Sequence, residues 1–416
     1  MNPYAIYLIM RGISSFASAL VLTYELVYHT VVAGLNPFQL VLVGVVLESM
    51  TVLFEIPTGV VADLYSRRLS VILGIFLTGL GFLIETLIPT FALILLAQVI
   101  WGIGFCFYSG AEAAWITDEI GIERAPEAFL RATQLSQALS IVGIFLGATF
   151  SQINVLLPVI LGAAIFIGLA GVLCFTMPET GFQPLRHDQR QNFWHYLSLP
   201  MREYTRLIRV HPLLWLILLL GLIIGLYVGG FDRLYTPYLL TEMTPPAIGR
   251  LKPVVWLGLL NGLVNIGSLI GTEIVRRRYQ VDNQLVVIRL LVMFHSGIVL
   301  GSIAFALTGV FIIAAMGFCL IQILRNISRP LLLAWINQNA EKHIRATVIS
   351  AYWQANAVGQ IVGSPMLGWI GTTTSLRMAL GVGTGVYTAT LPVLLLAQRR
   401  LSHPWLVNPE TPKPKG

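Results

Sequence analysis

Charge is scarce in this chain. Only 11% of its 416 residues are Asp, Glu, Lys or Arg, less than half of the roughly 25% carried by soluble globular domains, and that shortfall excludes a water-soluble enzyme. Cysteine is scarcer still. Cys106, Cys174 and Cys319 lie inside apolar stretches without the spacing of a disulfide framework or a metal site, so they read as packing residues and no metal is expected. No Gly-x-x-x-x-Gly-Lys-Ser/Thr run is present to cradle a nucleotide. No His cluster and no nucleophile beside a base is visible, so neither ATP-driven transport nor enzymatic activity finds support. Met1 to Tyr4 also lacks the basic stretch of a cleavable secretory signal, and the first apolar segment is expected to stay as a helix.

Apolar sequence is abundant: 56% of residues are hydrophobic and the mean hydropathy is +0.79. A bilayer crossing needs about 20 mostly apolar residues. Stretches of that kind, bounded by charge, Pro or Gly, lie near Tyr4–Val31, Phe38–Ala62, Leu69–Ile88, Phe91–Thr117, Phe129–Gln152, Val155–Thr176, Leu213–Leu240, Val254–Val275, Gln284–Leu307, Val310–Ile336, Thr347–Ile370 and Ser375–Ala397. The fold class expected is an all-α membrane protein of twelve transmembrane helices, with the lipid bilayer as solvent.

The formal charge of +7 does not indicate nucleic acid, because the bases punctuate apolar runs instead of clustering on a soluble domain. Most of them (among them Arg67, Arg68, Arg124, Arg131, Arg186, Arg190, Arg202, Arg206, Arg209, Arg276, Arg277, Arg278, Lys342, Arg345, Arg399, Arg400, Lys413 and Lys415) fall in loops on one side. Lys and Arg concentrate in cytoplasmic loops, so both termini are assigned to the cytoplasm. The stretch 178–211 reads as a cytoplasmic linker, where Tyr204, Leu207 and Ile208 among the arginines suit an amphipathic helix on the headgroups; a plain tether fits equally. It separates an N-terminal six-helix bundle, 1–177, from a C-terminal one, 212–398, followed by a cytoplasmic tail, 399–416.

The two halves echo each other. Glu25-Leu26 is matched by Arg233-Leu234, Arg67-Arg68 by Arg276-Arg277, Ala114-Trp115-Ile116 by Ala334-Trp335-Ile336, and Arg131-Ala132-Thr133 by Arg345-Ala346-Thr347. Four matches in one order argue for a parallel repeat, two pseudo-symmetric bundles rocking about a midplane site.

Between the second and third spans the chain reads Gly59-Val-Val-Ala-Asp63-Leu-Tyr-Ser-Arg67-Arg68. Gly59 lets its helix approach a neighbour closely, Asp63 can accept from the amides of a facing helix N-terminus, and Arg67 can reach Asp118 at the end of the fourth span. This loop resembles the cytoplasmic signature of the major facilitator superfamily, with Leu64 in place of a usual base and Ser66 in place of a usual Gly. The resemblance implies a secondary transporter in which Gly59, Asp63, Arg67, Arg68 and Asp118 latch the cytoplasmic side. It implies a small-molecule substrate, no bound cofactor, a proton gradient as energy source, a monomer, and a prokaryotic inner membrane. Gln98 stands where proton-coupled members carry an Arg, and the fifth span has Gly143 and Gly147 but no Gly-Pro pair; both weaken a drug and proton antiporter.

A mid-bilayer charge costs at least about 2.5–3.5 kcal/mol, so each must pair, face water or work. Arg11, Glu85, Glu273 and Arg289 are set aside as structural or interfacial, and His295 as a packing residue. Glu25 and Arg233, with Asp232 beside it, occupy matching repeat positions and suit an outer gate or a static brace. Gln98, Trp101, Phe105, Ser109 and Glu112 recur at helical steps, an aromatic wall for a lipophilic or cationic substrate; Glu112 could take the proton or join Asp118 and Glu119 in the gate. Gln322, Arg325, Asn326 and Arg329 share a face of the tenth span, and two repelling cations need acidic partners, Glu55 and Glu112, or an anionic ligand. Glu48 and Glu55 align with Gly59, Pro57 interrupts a backbone hydrogen bond and gives the helix a flexible point, and Glu55 is a proton-acceptor candidate. The leading function is proton-coupled efflux of amphipathic, drug-like compounds; organic-anion transport by Arg325 and Arg329 is the rival, and a membrane sensor a distant third.

Overall fold

The computed structural model describes residues 2–182, 212–279, 282–340 and 345–402. Most of the expected linker helix, with Arg186, Arg190, Arg202, Arg206 and Arg209, lies outside the described residues, as do Lys342, Lys413 and Lys415.

Among the described residues the elements are helical apart from one bridge between Ile248 and Leu251. In chain order they are α1 (Pro3–Val27), α2 (Pro37–Leu64), α3 (Arg67–Leu87), α4 (Phe91–Ser109), α5 (Ala111–Ile120), α6 (Ala125–Ile153), α7 (Leu156–Thr176), α8 (Pro212–Pro237), α9 (Val255–Arg278), α10 (Gln284–Leu307), α11 (Phe311–Asn339), α12 (Arg345–Thr373), α13 (Leu376–Thr388) and α14 (Thr390–Ser402). The pairs α4–α5 and α13–α14 each form one span, interrupted at Gly110 and Ala389. Eleven spans are long and apolar enough to cross a membrane; α12 is the remaining long helix, diluted by Gln354, Asn356 and Gln360.

Local chemistry sets the boundaries. Asn2 and Asn36 cap α1 and α2 and are each followed by Pro at the first helical position, and Asn36 with Gln39 completes a capping box that satisfies the first free amides. Ser66 caps α3 by accepting from Leu69 N at 2.9 Å. Its φ of −171° is extended backbone open to any residue, so the loop turns by capping and needs no Gly. Pro57 lies within a continuous α2.

The first compact unit holds α1 to α7 together with 233–262. Within it α1 packs on α6 and α7, α3 on α4 and α7, and α2 on α4. Glycines permit these approaches: Gly74 and Gly104 face each other's backbone oxygens across α3 and α4, and Gly143 of α6 lies against Phe16 O of α1. The second unit holds the rest of α8 and α9 with α10 to α14. There Gly301 and Gly317 face each other's oxygens across α10 and α11, and Gly359 and Gly363 of α12 take Leu222 and Leu226 of α8, repeating the spacing of Gly143 and Gly147. Both α1 and α8 end in a π-helical turn that begins on tyrosine, Tyr28–Val32 and Tyr238–Glu242.

Gly59 departs from expectation: a side chain there would meet nothing within 4 Å, so it makes no close helix approach in the first unit. Cys174 is exposed and Cys106 buried, so only the latter packs as expected.

Candidate functional site

Three polar groupings stand out in the first unit. The first surrounds Arg67. Arg67 is bound to Asp118, donates to Ala114 O at 3.1 Å, and reaches Asp63 at 3.2 Å. Asp63 is therefore engaged by the arginine one turn on, at a half-exposed position. Arg68 does not join the acids: its side chain donates to Cys174 O at 2.6 Å and its amide to Glu179 at 2.9 Å. Sequence reasoning missed this carboxylate. Glu179 also accepts from Ser66 Oγ at 2.7 Å, Trp115 Nε1 donates to Pro178 O at 2.7 Å, and Glu119 accepts the amides of Thr180 and Gly181 at 2.6 and 2.8 Å. The stretch from Pro178 to Gly181 is thus stitched to the Arg67 grouping.

The second grouping lies on α1 and α5. Arg11 donates to Glu112 Oε1 at 2.8 Å and to Tyr108 Oη at 3.4 Å, while Glu112 Oε2 is buried without a hydrogen-bond partner. Arg11 is the partner of Glu112 Oε1, while Asp118 is met by Arg67. Arg11, set aside from sequence, is thus a central member. Of the residues read as an aromatic wall, Trp101 packs on Phe82 at 4.8 Å and Phe105 is 45% exposed, while Glu112 follows the interruption at Gly110. Gln98 and Glu112 are buried but serve different clusters.

The third grouping joins α1, α3 and α4 at the end of α3 opposite Arg67. Glu25, His29, Glu85 and Gln98 are all buried. Gln98 Nε2 donates to Glu25 at 3.0 Å and Glu85 at 3.4 Å, and His29 Nε2 lies 4.0 and 3.5 Å from the same two carboxylates. Tyr28 Oη, from the π-helical turn, donates to Glu85 O at 2.6 Å. Arg233 belongs to the same unit, packs against Gly44, and acts electrostatically on Glu25, His29 and Glu85. Tyr28 itself belongs to an apolar cluster with Leu26, Leu40, Val43 and Ile94. Glu85 had been set aside and His29 was missed; the signal available was Glu25 and His29, four residues apart on one helical face.

In the second unit the two cations of the tenth span find other partners than Glu55 and Glu112. Arg325 binds both oxygens of Asp232, at 2.7 and 2.9 Å, and Arg329 lies over the Trp353 ring, 4.6 Å from its centroid. Asn326 donates to Ser268 at 3.0 Å, Gln322 is partly buried, and Glu55, in the first unit, is exposed. His295 stacks on Tyr387 and bonds its hydroxyl at 3.0 Å, the packing role expected. Glu273 is held by Arg276 and Arg277 at the end of α9.

Known proteins share this architecture. The uncharacterized MFS-type transporter YxaM of Bacillus subtilis (strain 168) is 25% identical over 202 residues, so the match spans 48% of this chain and 50% of that relative. Among solved structures, a nucleoside transporter, NupG, superposes with a TM-score of 0.73 at 14% identity, covering 96% of this chain and all of its own. A peptide transporter, POT, in complex with sulfate reaches 0.74 at 12% identity, covering 97% and 94%; at such identities the likeness is one of fold. Residues 4–364 match the model of the Major Facilitator Superfamily, so this chain belongs to that family of multi-pass membrane transporters.

Proposed function

We propose that the chain is a proton-coupled secondary transporter, two homologous six-helix halves alternating access, that exports amphipathic small molecules across a prokaryotic inner membrane as a monomer with both termini cytoplasmic. The observation that carries this reading is the Arg11–Glu112 pair inside the membrane-spanning region. Ionised Glu112 holds Arg11 through Oε1; a proton taken at the unpartnered Oε2 cancels the charge and frees the guanidinium, so α1 and α5 can part. Proton and substrate then occupy the carrier in turn. Bidentate neutralisation of Arg325 by Asp232 disfavours the rival, an organic anion held by Arg325 and Arg329, because only Arg329 keeps its charge uncommitted to an acid.

Everted vesicles test the reading. Uptake of an amphipathic dye driven by an acid interior is expected in the native protein. In E112Q it is expected to lose its dependence on the pH gradient while exchange of dye between equal pH compartments persists. Retained gradient dependence in E112Q would refute the coupling role.

A further inference from the structure

We infer that Glu25, His29, Glu85 and Gln98 form a binding site for one divalent transition cation of the zinc or manganese type, buried between α1, α3 and α4. The donor atoms of Glu25, His29 and Glu85 all lie within 4.8 Å of one another. Tetrahedral bonds of about 2.0–2.2 Å place ligand atoms about 3.4 Å apart; His29 Nε2 already lies 3.5 Å from Glu85 and 4.0 Å from Glu25, so side-chain shifts of about 1 Å close the shell around an ion. Imidazole with two carboxylates selects zinc, manganese or iron over calcium and magnesium, which prefer all-oxygen shells.

Unmet valences point the same way. Both nitrogens of His29, Oε1 of Glu85 and Oε1 of Gln98 are buried with no hydrogen-bond partner, an arrangement that costs roughly 1–3 kcal/mol per group when nothing compensates it. Gln98 Nε2 now donates to both carboxylates; a flip of its amide turns Oε1 into a fourth ligand without moving the backbone. The local fold is shaped for this. The π-helical turn after α1 carries His29 four residues beyond Glu25, and such turns recur at functional sites. Tyr28, on the same turn, fixes the end of α3 through Glu85 O. Arg233 opposes the ion, since its charge acts on the whole cluster. The site is separate from Arg11 and Glu112 and does not rest on the proton-coupling proposal.

Binding to the purified full-length protein in detergent is the test, with MnCl2 followed by electron paramagnetic resonance and ZnCl2 by calorimetry. One saturable site per chain is expected, with affinity falling at least about tenfold in H29Q and in E85Q and rising in R233Q. Thermal unfolding establishes that each variant is folded. Q98E, which keeps an oxygen donor, serves as a second probe should H29Q fail to fold: it is expected to bind as tightly as the native chain or more so. Absence of saturable binding of either ion below about 1 mM, a free-energy gain of only about 4 kcal/mol, would overturn the inference. So would affinities that folded H29Q and E85Q leave unchanged.

Discussion

Arg325 and Asp232 illustrate what a charge inside an apolar helix demands. Removing one partner of a buried pair leaves the other uncompensated at about 3–5 kcal/mol, whereas replacing both by apolar groups is often neutral. Asp232 is 37% exposed at its side chain, so R325M alone is expected to cost less, about 2–3 kcal/mol, and the double variant R325M/D232L to recover most of that loss. Thermal unfolding of the four proteins in detergent measures the cycle; equal losses in the single and double variants would show that Arg325 is held by something other than Asp232. The same accounting explains why sequence alone misassigned partners. Charge repulsion between Arg325 and Arg329 shows that partners are required, but Asp232 lies on another helix and Trp353 on a third, and neither proximity leaves a trace in spacing.

Helix pairs are governed by where backbone meets backbone. A Cβ on Gly74 would lie 2.7 Å from both Gly104 O and Tyr108 N, while Gly168 of α7 has nothing within 4 Å. G74V is therefore expected to destabilise by about 1–3 kcal/mol or more through overpacking, and G168V to stay within about 0.5 kcal/mol of native, as read from unfolding temperatures. Equal effects would mean that α3 and α4 do not approach as described. At this scale much was legible: apolar runs place the spans because lipid tolerates only helices whose amides bond internally, and the loop at 59–68 announced Arg67 and Asp118. The interruption at Gly110 was not, because a glycine in an apolar run marks equally a break or a close contact. The Glu25–Glu85–Gln98–His29 grouping was hidden for another reason. Three helices contribute to it, and periodicity reports only the face a residue shares with its own neighbours.

For the whole molecule, the number of crossings decides whether the termini share a side, and α12 decides the number. Its polar residues lower its hydropathy, yet they are turned inward within the second unit: Asn356 donates to Gly221 O at 3.2 Å, Gln360 donates to Asn356 at 3.1 Å, and Ser364 lies against Gly229 of α8. The opposite face presents Val358, Val362, Met366 and Trp369, all exposed and spaced at helical steps, the stripe that lipid would cover. A helix so divided is expected to cross the bilayer despite its composition. Alkaline phosphatase, active only outside the cytoplasm, reports this when fused along the chain. Fusions after Gly34, Gly249 and Thr374 are expected to be active and those after Ser66, Ala340 and Ser402 inactive, in keeping with the bases flanking the inactive set. If α12 failed to cross, the fusion after Thr374 would fall silent and the one after Ser402 would become active, and an odd number of spans would rule out the proposed parallel repeat and the alternating access built on it.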